Sequence, residues 1–419
     1  TSASVRQPVS VIAVVGDGPE APVVAVADAL VARLAGHHRT ARFDDAHQAA
    51  ADALVRAERE NERTVLVAAD AKDVAWREFC LRQADAVVRV ALADTQPPSV
   101  PESWGASRRQ VEVVLIGADH GMAAAWAAAV DAWQVTLVTG DIEGGVRRLG
   151  DRLAGRSLGV VISGGGARAI AGVGLLRELE ESGFQVDRLA GASMGGLVAA
   201  TYATGCDGAE LEDSAYLEFV RSHPFGDYRL STTSLLRGQR VRNGLIRHFG
   251  VDTVIEGLPR QLSLVSTDLI SRTRQVHRRG NLVDAASATC RLPAIFPPIP
   301  TPDGRLLVDG GVMDNMPTDL LFERDEGPVV AMAISSGGER PPRQGPPRIP
   351  ALPDTLMRTL MINSGGVVET ARQLGAWVVT PPTLGVGLLE FHQFDRMVEA
   401  GRAAARALIA ESGGDFSRH

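Results

Sequence analysis

The chain has 419 residues, 45% of them hydrophobic and 22% charged, which predicts a globular protein of two or three domains with a sizeable core. A formal net charge of -7 excludes a general nucleic-acid binder, which would carry a basic excess against phosphate. Cys80, Cys206 and Cys290 lie far apart with no CxxC or Cys/His pairing, so neither a disulfide framework nor a metal site is expected and a cytoplasmic setting fits best.

No run of about eighteen apolar residues and no charged-then-apolar leader occurs. Membrane contact is therefore expected to be peripheral, on the inner membrane face. The chain starts at Thr1 rather than methionine, which predicts a processed chain or a fragment of a longer one.

From the N-terminus, β-branched runs alternate with Ala/Leu-rich amphipathic stretches: "VSVIAVVG", "APVVAVADALVARLAG", "DDAHQAAADALVRAERE", "RTVLVAAD", "DVAWREFCLRQA", "DAVVRVAL", "QVEVVLIGAD" and "WQVTLVTGD". That rhythm predicts βαβ units on a buried parallel sheet, so residues 1–155 read as a doubly wound, Rossmann-like α/β domain. Its first turn, Gly16-x-Gly18, lacks the third glycine of a dinucleotide fingerprint, and no Walker lysine follows. The turn is expected to be structural and this domain to hold no cofactor.

Residues 156–413 form a second α/β series. It opens on "RSLGVVISGGGARAIAGVGLLRELEESG", where a strand enters a glycine-rich loop and then a helix. Gly164, Gly165 and Gly166 permit a tight turn that presents unpaired N–H groups at a helix N-terminus, and such groups hold negative charge. Next, "FQVDRLAGASMGGLVAATYATG" reads as strand, sharp turn and helix around Gly191-Ala192-Ser193-Met194-Gly195, the G-x-S-x-G spacing of a nucleophile elbow. In a chain with 44 glycines that spacing is cheap by itself, so the strand–turn–helix context carries the reading. Neighbouring parallel strands would bring the Gly-rich backbone beside Ser193 as an oxyanion hole. Further on, "DGRLLVDGGVMDNMPTDLL" has an apolar strand delivering Asp309, with Gly310 and Gly311 free to aim its carboxylate.

The motifs "GGGAR", "GASMG" and "DGG", in that order, with "STDLISRTRQVHRRG" and "FPPIP" between them and "NMP" after, resemble the patatin-like phospholipases over residues 157–335. Within that family the chain is most similar to the bacterial relatives of neuropathy target esterase, and "FCLRQADAVVRVALADTQPP" extends the likeness upstream. The resemblance implies a three-layer α/β/α patatin-like hydrolase domain acting on lipid esters with no cofactor. It further implies a Ser-Asp dyad of Ser193 and Asp309, with Gly164, Gly165, Gly166, Ala167 and Arg168 as the oxyanion loop. Ala169 departs from the glycine usual at the end of that loop. Such proteins often carry a cyclic-nucleotide-binding domain further upstream; nothing in this sequence resembles one, and such a domain is expected to have been removed.

Two alternatives stand beside this reading. An ordinary Ser-Asp-His triad would nominate His392 in "LLEFHQFDRM" by chain order, whereas His277 precedes Asp309. A catalytically idle lipid-sensing or interaction module is the other. Arg221, Arg229, Arg237, Arg240, Arg242 and Arg247, with a second cluster from Arg272 to Arg279, read either as patches for anionic headgroups or as solvated faces. "GGERPPRQGPPRIPALPD" reads as a loop and residues 414–419 as a flexible tail.

Overall fold

The computed structural model describes residues 9–45, 51–70, 72–98, 110–222, 227, 234–334, 349, 355, 366–383 and 385–416. Arg229 and nearly all of the Pro/Gly-rich stretch after residue 334 lie outside them. The chain divides into two compact units, Thr1–Ser157 with Glu256–Pro259 and Arg324–Gly327, and the remainder.

Unit 1 contains strands β1 (Val11–Gly16), β2 (Thr40–Phe43), β3 (Arg63–Ala68), β4 (Ala86–Leu92), β5 (Gln110–Ile116) and β6 (Gln134–Val138). All their pairings are parallel, in the order β2-β3-β1-β4-β5-β6. The fully buried runs of β1 and β3 are the sequence pattern of strands covered on both faces. Helices α1 (Val23–Ala35) and α5 (Ile142–Leu153) cover one face, and α2 (Ala51–Glu60) and α3 (Val74–Gln83) the other. On α1, Val23, Val26, Ala27, Leu30 and Leu34 are buried at helical spacing, and each large one contributes roughly 1.5–3 kcal/mol.

The sheet is doubly wound as expected, although the dinucleotide-binding order would be 3-2-1-4-5-6. The short, half-buried β2 has no fully buried residue and escaped the sequence reading. At the end of β1, Arg89 grips the Asp17 carboxylate through two bonds of 2.7 and 2.6 Å, and Arg77 adds a third at 3.1 Å. The Gly16–Gly18 turn is thus occupied by its own ion pairs.

Unit 2 is built on β7 (Leu158–Ile162), β8 (Val186–Ala192), β9 (Gln261–Asp268), β10 (Thr273–His277), β11 (Ile299–Pro300), β12 (Leu306–Asp309), β13 (Val329–Met332) and β14 (Trp377–Val379). They run in the order β11-β12-β9-β8-β7-β13-β14, with β10 also on β9. Ile162, Gly191 and Leu264 lie in register and so point to one face. That face receives α6 (Ala171–Glu181) and α7 (Ser193–Ala203), because Gly172 touches Ile162 and Gly196 touches Leu264. Residues one position away, Val161 and Ala190, pack with Leu321, Phe322 and Ala371 on the opposite face. Three layers result.

The helix Phe394–Ser412 crosses α6 at two glycines, Gly174 against the Val398 carbonyl and Gly401 against that of Ala171. No Cβ could be added at either point without separating the backbones. The expected flexible tail needs correction: Phe416 is 4% exposed and packs on Phe184 and Trp377, with ring centroids 4.8 and 6.2 Å away. An aromatic ring with a pocket to fill orders the chain that far, and residues 417–419 lie outside the described set.

Candidate active site

The site forms at the strand ends, and β9 determines which residues meet. β8 pairs with β9 as far as Ala192 opposite Val265. β12, running antiparallel, takes over the same edge with Asp309 opposite Ser266. The residue after Ala192 and the last residue of β12 therefore arrive one step apart, and Ser193 Oγ donates to Asp309 Oδ2 at 2.7 Å.

Ser193 holds φ +54, the left-handed region that costs a non-glycine residue about 1–3 kcal/mol. Glycine spacing lets the elbow close around it. A Cβ on Gly191 would sit 2.9 Å from the Gly196 backbone, and one on Gly195 would overlap the Ile162 and Ser163 carbonyls. The strained residue is held by Thr289, at the end of α10 (Leu282–Thr289), whose Oγ1 accepts the Ser193 N–H at 3.0 Å and donates to the Val265 carbonyl at 2.6 Å. Thr289 is completely buried, and nothing in "AASATCRLP" marked it.

Asp309 is 2% exposed, and its Oδ1 accepts the Gly311 N–H at 2.8 Å. Burial pushes its carboxyl up to about 7, which the hydrogen bonds from Ser193 and Gly311 only partly offset. Gly310 has to be glycine because its backbone lies against the Val265 carbonyl. Neither histidine completes a triad. His392 is exposed. His277 lies on β10 with Nε2 2.7 Å from Ser266 Oγ, and burial pulls it down to about 4.

The Gly-rich loop stands beside Ser193: a Cβ on Gly164 would come within 2.9 Å of the serine Cβ. Asn315 latches the loop, its carbonyl accepting the Gly164 N–H at 3.1 Å and its Nδ2 donating to the Gly164 carbonyl at 3.2 Å. Not all five expected loop residues offer donors. Gly164 N–H is spent on Asn315, and Ala167 N–H donates to the Leu388 carbonyl at 2.8 Å. Arg168 lies inside the 3-10 turn Gly166–Ile170, with Nε 3.4 Å from the Gly165 carbonyl. Gly165 and Gly166 retain N–H groups without partners among the described residues, and Gly166 faces Ser193 and Asp309 across a cavity. Gly166 has φ +57, whereas Ala169 has no positive φ, so alanine fits where the family usually has glycine.

That cavity, of ≈ 90 Å³, opens from Ser193 and Asp309. Met194 and Leu197 of α7 line it with Leu245 and Phe249 of α9 (Gln239–Phe249), and Phe296 and Leu388 close in from the sides. Cys290 also faces it, donating to the Ala286 carbonyl at 3.1 Å, and burial keeps that thiol protonated by pushing it up to about 12. Several arginines of the basic clusters are engaged elsewhere: Arg242 with Asp284 at 2.7 Å, Arg274 with Asp314 and Asp319, and Arg278 with Glu323 at 2.8 Å. Among the described residues no group of three His, Cys, Asp or Glu side chains is placed to hold a metal, and no helix is long and apolar enough to cross a membrane.

A family model described as patatin-like phospholipase matches residues 160–322. An uncharacterised NTE family protein of Mycobacterium tuberculosis is 32% identical over 428 residues, covering 94% of this chain and 71% of that protein. The lysophospholipase nte1 of Aspergillus fumigatus is 28% identical over 291 residues, 64% of this chain and 19% of the fungal one. Among solved structures the chain is similar to VipD from Legionella pneumophila, with a TM-score of 0.40 and 15% identity over 61% of this chain and 66% of that one.

Proposed function

We propose that this chain, which belongs to the NTE family of patatin-like phospholipases, hydrolyses the acyl ester of a phospholipid or lysophospholipid through an acyl-Ser193 intermediate, with Asp309 carrying the proton. The observation that supports this most directly is the 2.7 Å bond between Ser193 Oγ and Asp309 at the head of an apolar cavity. Ser193 Oγ attacks the ester carbonyl as its proton passes to Asp309. The carbonyl oxygen, now negative, is received by the N–H groups of Gly165 and Gly166, and one such donor is worth ~2.7–4 kcal/mol. Collapse of the tetrahedral species expels the alcohol, which takes the proton from Asp309. Water then attacks the acyl group and gives a proton to Asp309, which passes it to Ser193 Oγ as the fatty acid leaves, restoring both side chains.

Three exposed leucines, Leu217, Leu235 and Leu389 (50, 44 and 49% exposed), support peripheral contact with a lipid surface, since Leu389 itself lines the cavity. The test is fatty-acid release from a panel of lysophospholipids, phospholipids and neutral glycerides, with Ser193→Ala as the blank. Release that persists in the blank, or no release together with no covalent labelling of Ser193 by a fluorophosphonate, overturns the proposal. The latter result would favour a lipid-sensing module.

A further inference from the structure

The cavity does not end as it begins. Val241, Gly244, Leu245 and His248 line it from α9 at the spacing of one helical face, which a rise of 1.5 Å per residue spreads over about 10 Å. The direction along that face follows from the neighbouring elements. Ahead of α9, the Gly238 backbone lies against the side chains of Arg291 and Phe296, next to Cys290 at the catalytic end. Beyond α9, the Val251 carbonyl accepts from Asn281 Nδ2 at the start of α10, the helix whose other end, Thr289, holds Ser193. His248 is therefore far from the serine and Val241 near it. Thr201 also lines the cavity, eight residues or about 12 Å along α7 from Ser193.

Four polar side chains also line the cavity, Thr201, Ser214, Glu218 and His248, and Glu218 lies beside Gly244, one helical turn from His248, and interacts electrostatically with that ring. Among the described residues the hydroxyls of Thr201 and Ser214 and the ring nitrogens of His248 make no hydrogen bond, and the Glu218 carboxylate faces Arg247, at 4.0 Å, and the His248 ring. These groups are only partly buried, so water reaches them, and a chain entering the cavity has to replace that water. Burial lowers the His248 pKa against the opposing pull of Glu218, and a neutral imidazole has one nitrogen to donate and one to accept. Glu218 can only accept when ionised. Gly244 leaves its carboxylate room, since a Cβ there would lie 3.0 Å from Oε2. An acceptor beside a donor is the complement of a hydroxyl.

On the lipolytic reading of Ser193 and Asp309, we infer that the cavity selects an acyl chain carrying a hydroxyl roughly eight to ten bonds from the ester carbonyl, received by Glu218 and His248. A plain chain of the same length removes water from these groups and returns no partner, a penalty of about tenfold in kcat/KM for a partly wet site. The test compares p-nitrophenyl decanoate with p-nitrophenyl 10-hydroxydecanoate in the wild type, His248→Leu, His248→Gln and Glu218→Leu, each checked for a folded site by fluorophosphonate labelling of Ser193. The wild type is expected to favour the hydroxylated ester about tenfold, His248→Leu and Glu218→Leu to bring the ratio near one, and His248→Gln to retain part of the preference. A wild-type ratio near one, or a ratio unchanged in both leucine variants, overturns the inference and leaves the hydrolase reading intact. Cleavage of neither ester would overturn both.

Discussion

Asp309→Asn replaces a buried carboxyl, whose ionisation the fold opposes, with an uncharged amide of the same shape. Its pKa rises from 3.8 to about 7, roughly 3 units, and at 1.36 kcal/mol each the ionised side chain costs the folded state about 4 kcal/mol. A raised carboxyl favours folding when protonated. Its contribution is whole below pH 3.8 and is lost as the pH climbs through 7. Integrated over that window, the loss is about 1–2 kcal/mol at pH 5 and about 4 kcal/mol at pH 8. The asparagine variant titrates nothing there, so its stability relative to the wild type should grow by about 3 kcal/mol between pH 5 and pH 8, whatever constant offset the altered bond to Ser193 introduces. Urea unfolding of the two proteins side by side at these pH values measures the difference. Esterase activity should vanish in the variant, and the wild-type kcat/KM should fall as the pH drops below about 7. A stability gap that stays constant with pH would show that Asp309 is an ordinary carboxylate and would remove the basis for its role as the base.

Thr289→Val keeps the shape of the side chain while leaving the Ser193 N–H without its acceptor and the Val265 carbonyl without a donor. About 1–3 kcal/mol of stability should be lost by denaturation, with a drop in kcat larger than the change in KM. Gly166→Ala forces a Cβ into the left-handed region and against the Leu388 carbonyl, so the oxyanion donors should be displaced and kcat should fall about 10²–10³-fold in a steady-state esterase assay. His392→Ala, at an exposed position, should keep kcat/KM within about twofold, because such surface changes shift stability by no more than about 0.5 kcal/mol. A selective collapse of activity there would reinstate a Ser-Asp-His triad.

What could be read from the sequence was whatever is local in the chain. The buried β-branched runs and the Gly-x-Ser-x-Gly and Asp-Gly-Gly turns carry their structural reasons within a few residues. Gly191, Gly195 and Gly310 meet a backbone that leaves no room for Cβ, and Gly311 faces the side chains of Asn315 and Asp309. What escaped depends on distant partners. Thr289 matters through Val265 and Ser193, 24 and 96 positions away, and an ordinary helical "SAT" carries no trace of that. The Leu388 carbonyl that occupies Ala167 N–H comes from 221 residues downstream, so the sequence counted a donor that the fold uses elsewhere. Nothing local marks His248 or Glu218, which become cavity residues only through the fold.

On the proposed mechanism Ser193 needs no histidine partner. Histidine serves as a base at neutral pH because its pKa lies near 6.5, not because an imidazole ring is required. In water aspartate is too weak a base for that work, but a carboxyl buried at the end of β12, beside the Gly310–Gly311 turn, is raised to about 7, close to the same value. Only one short hydrogen bond to Ser193 and one N–H from Gly311 lean against that rise. Had an arginine stood beside Asp309, the carboxylate would have been better paired and more stable, and a poorer base. On the proposed mechanism, the instability of the ionised form is the same free energy that would let Asp309 take a proton from serine.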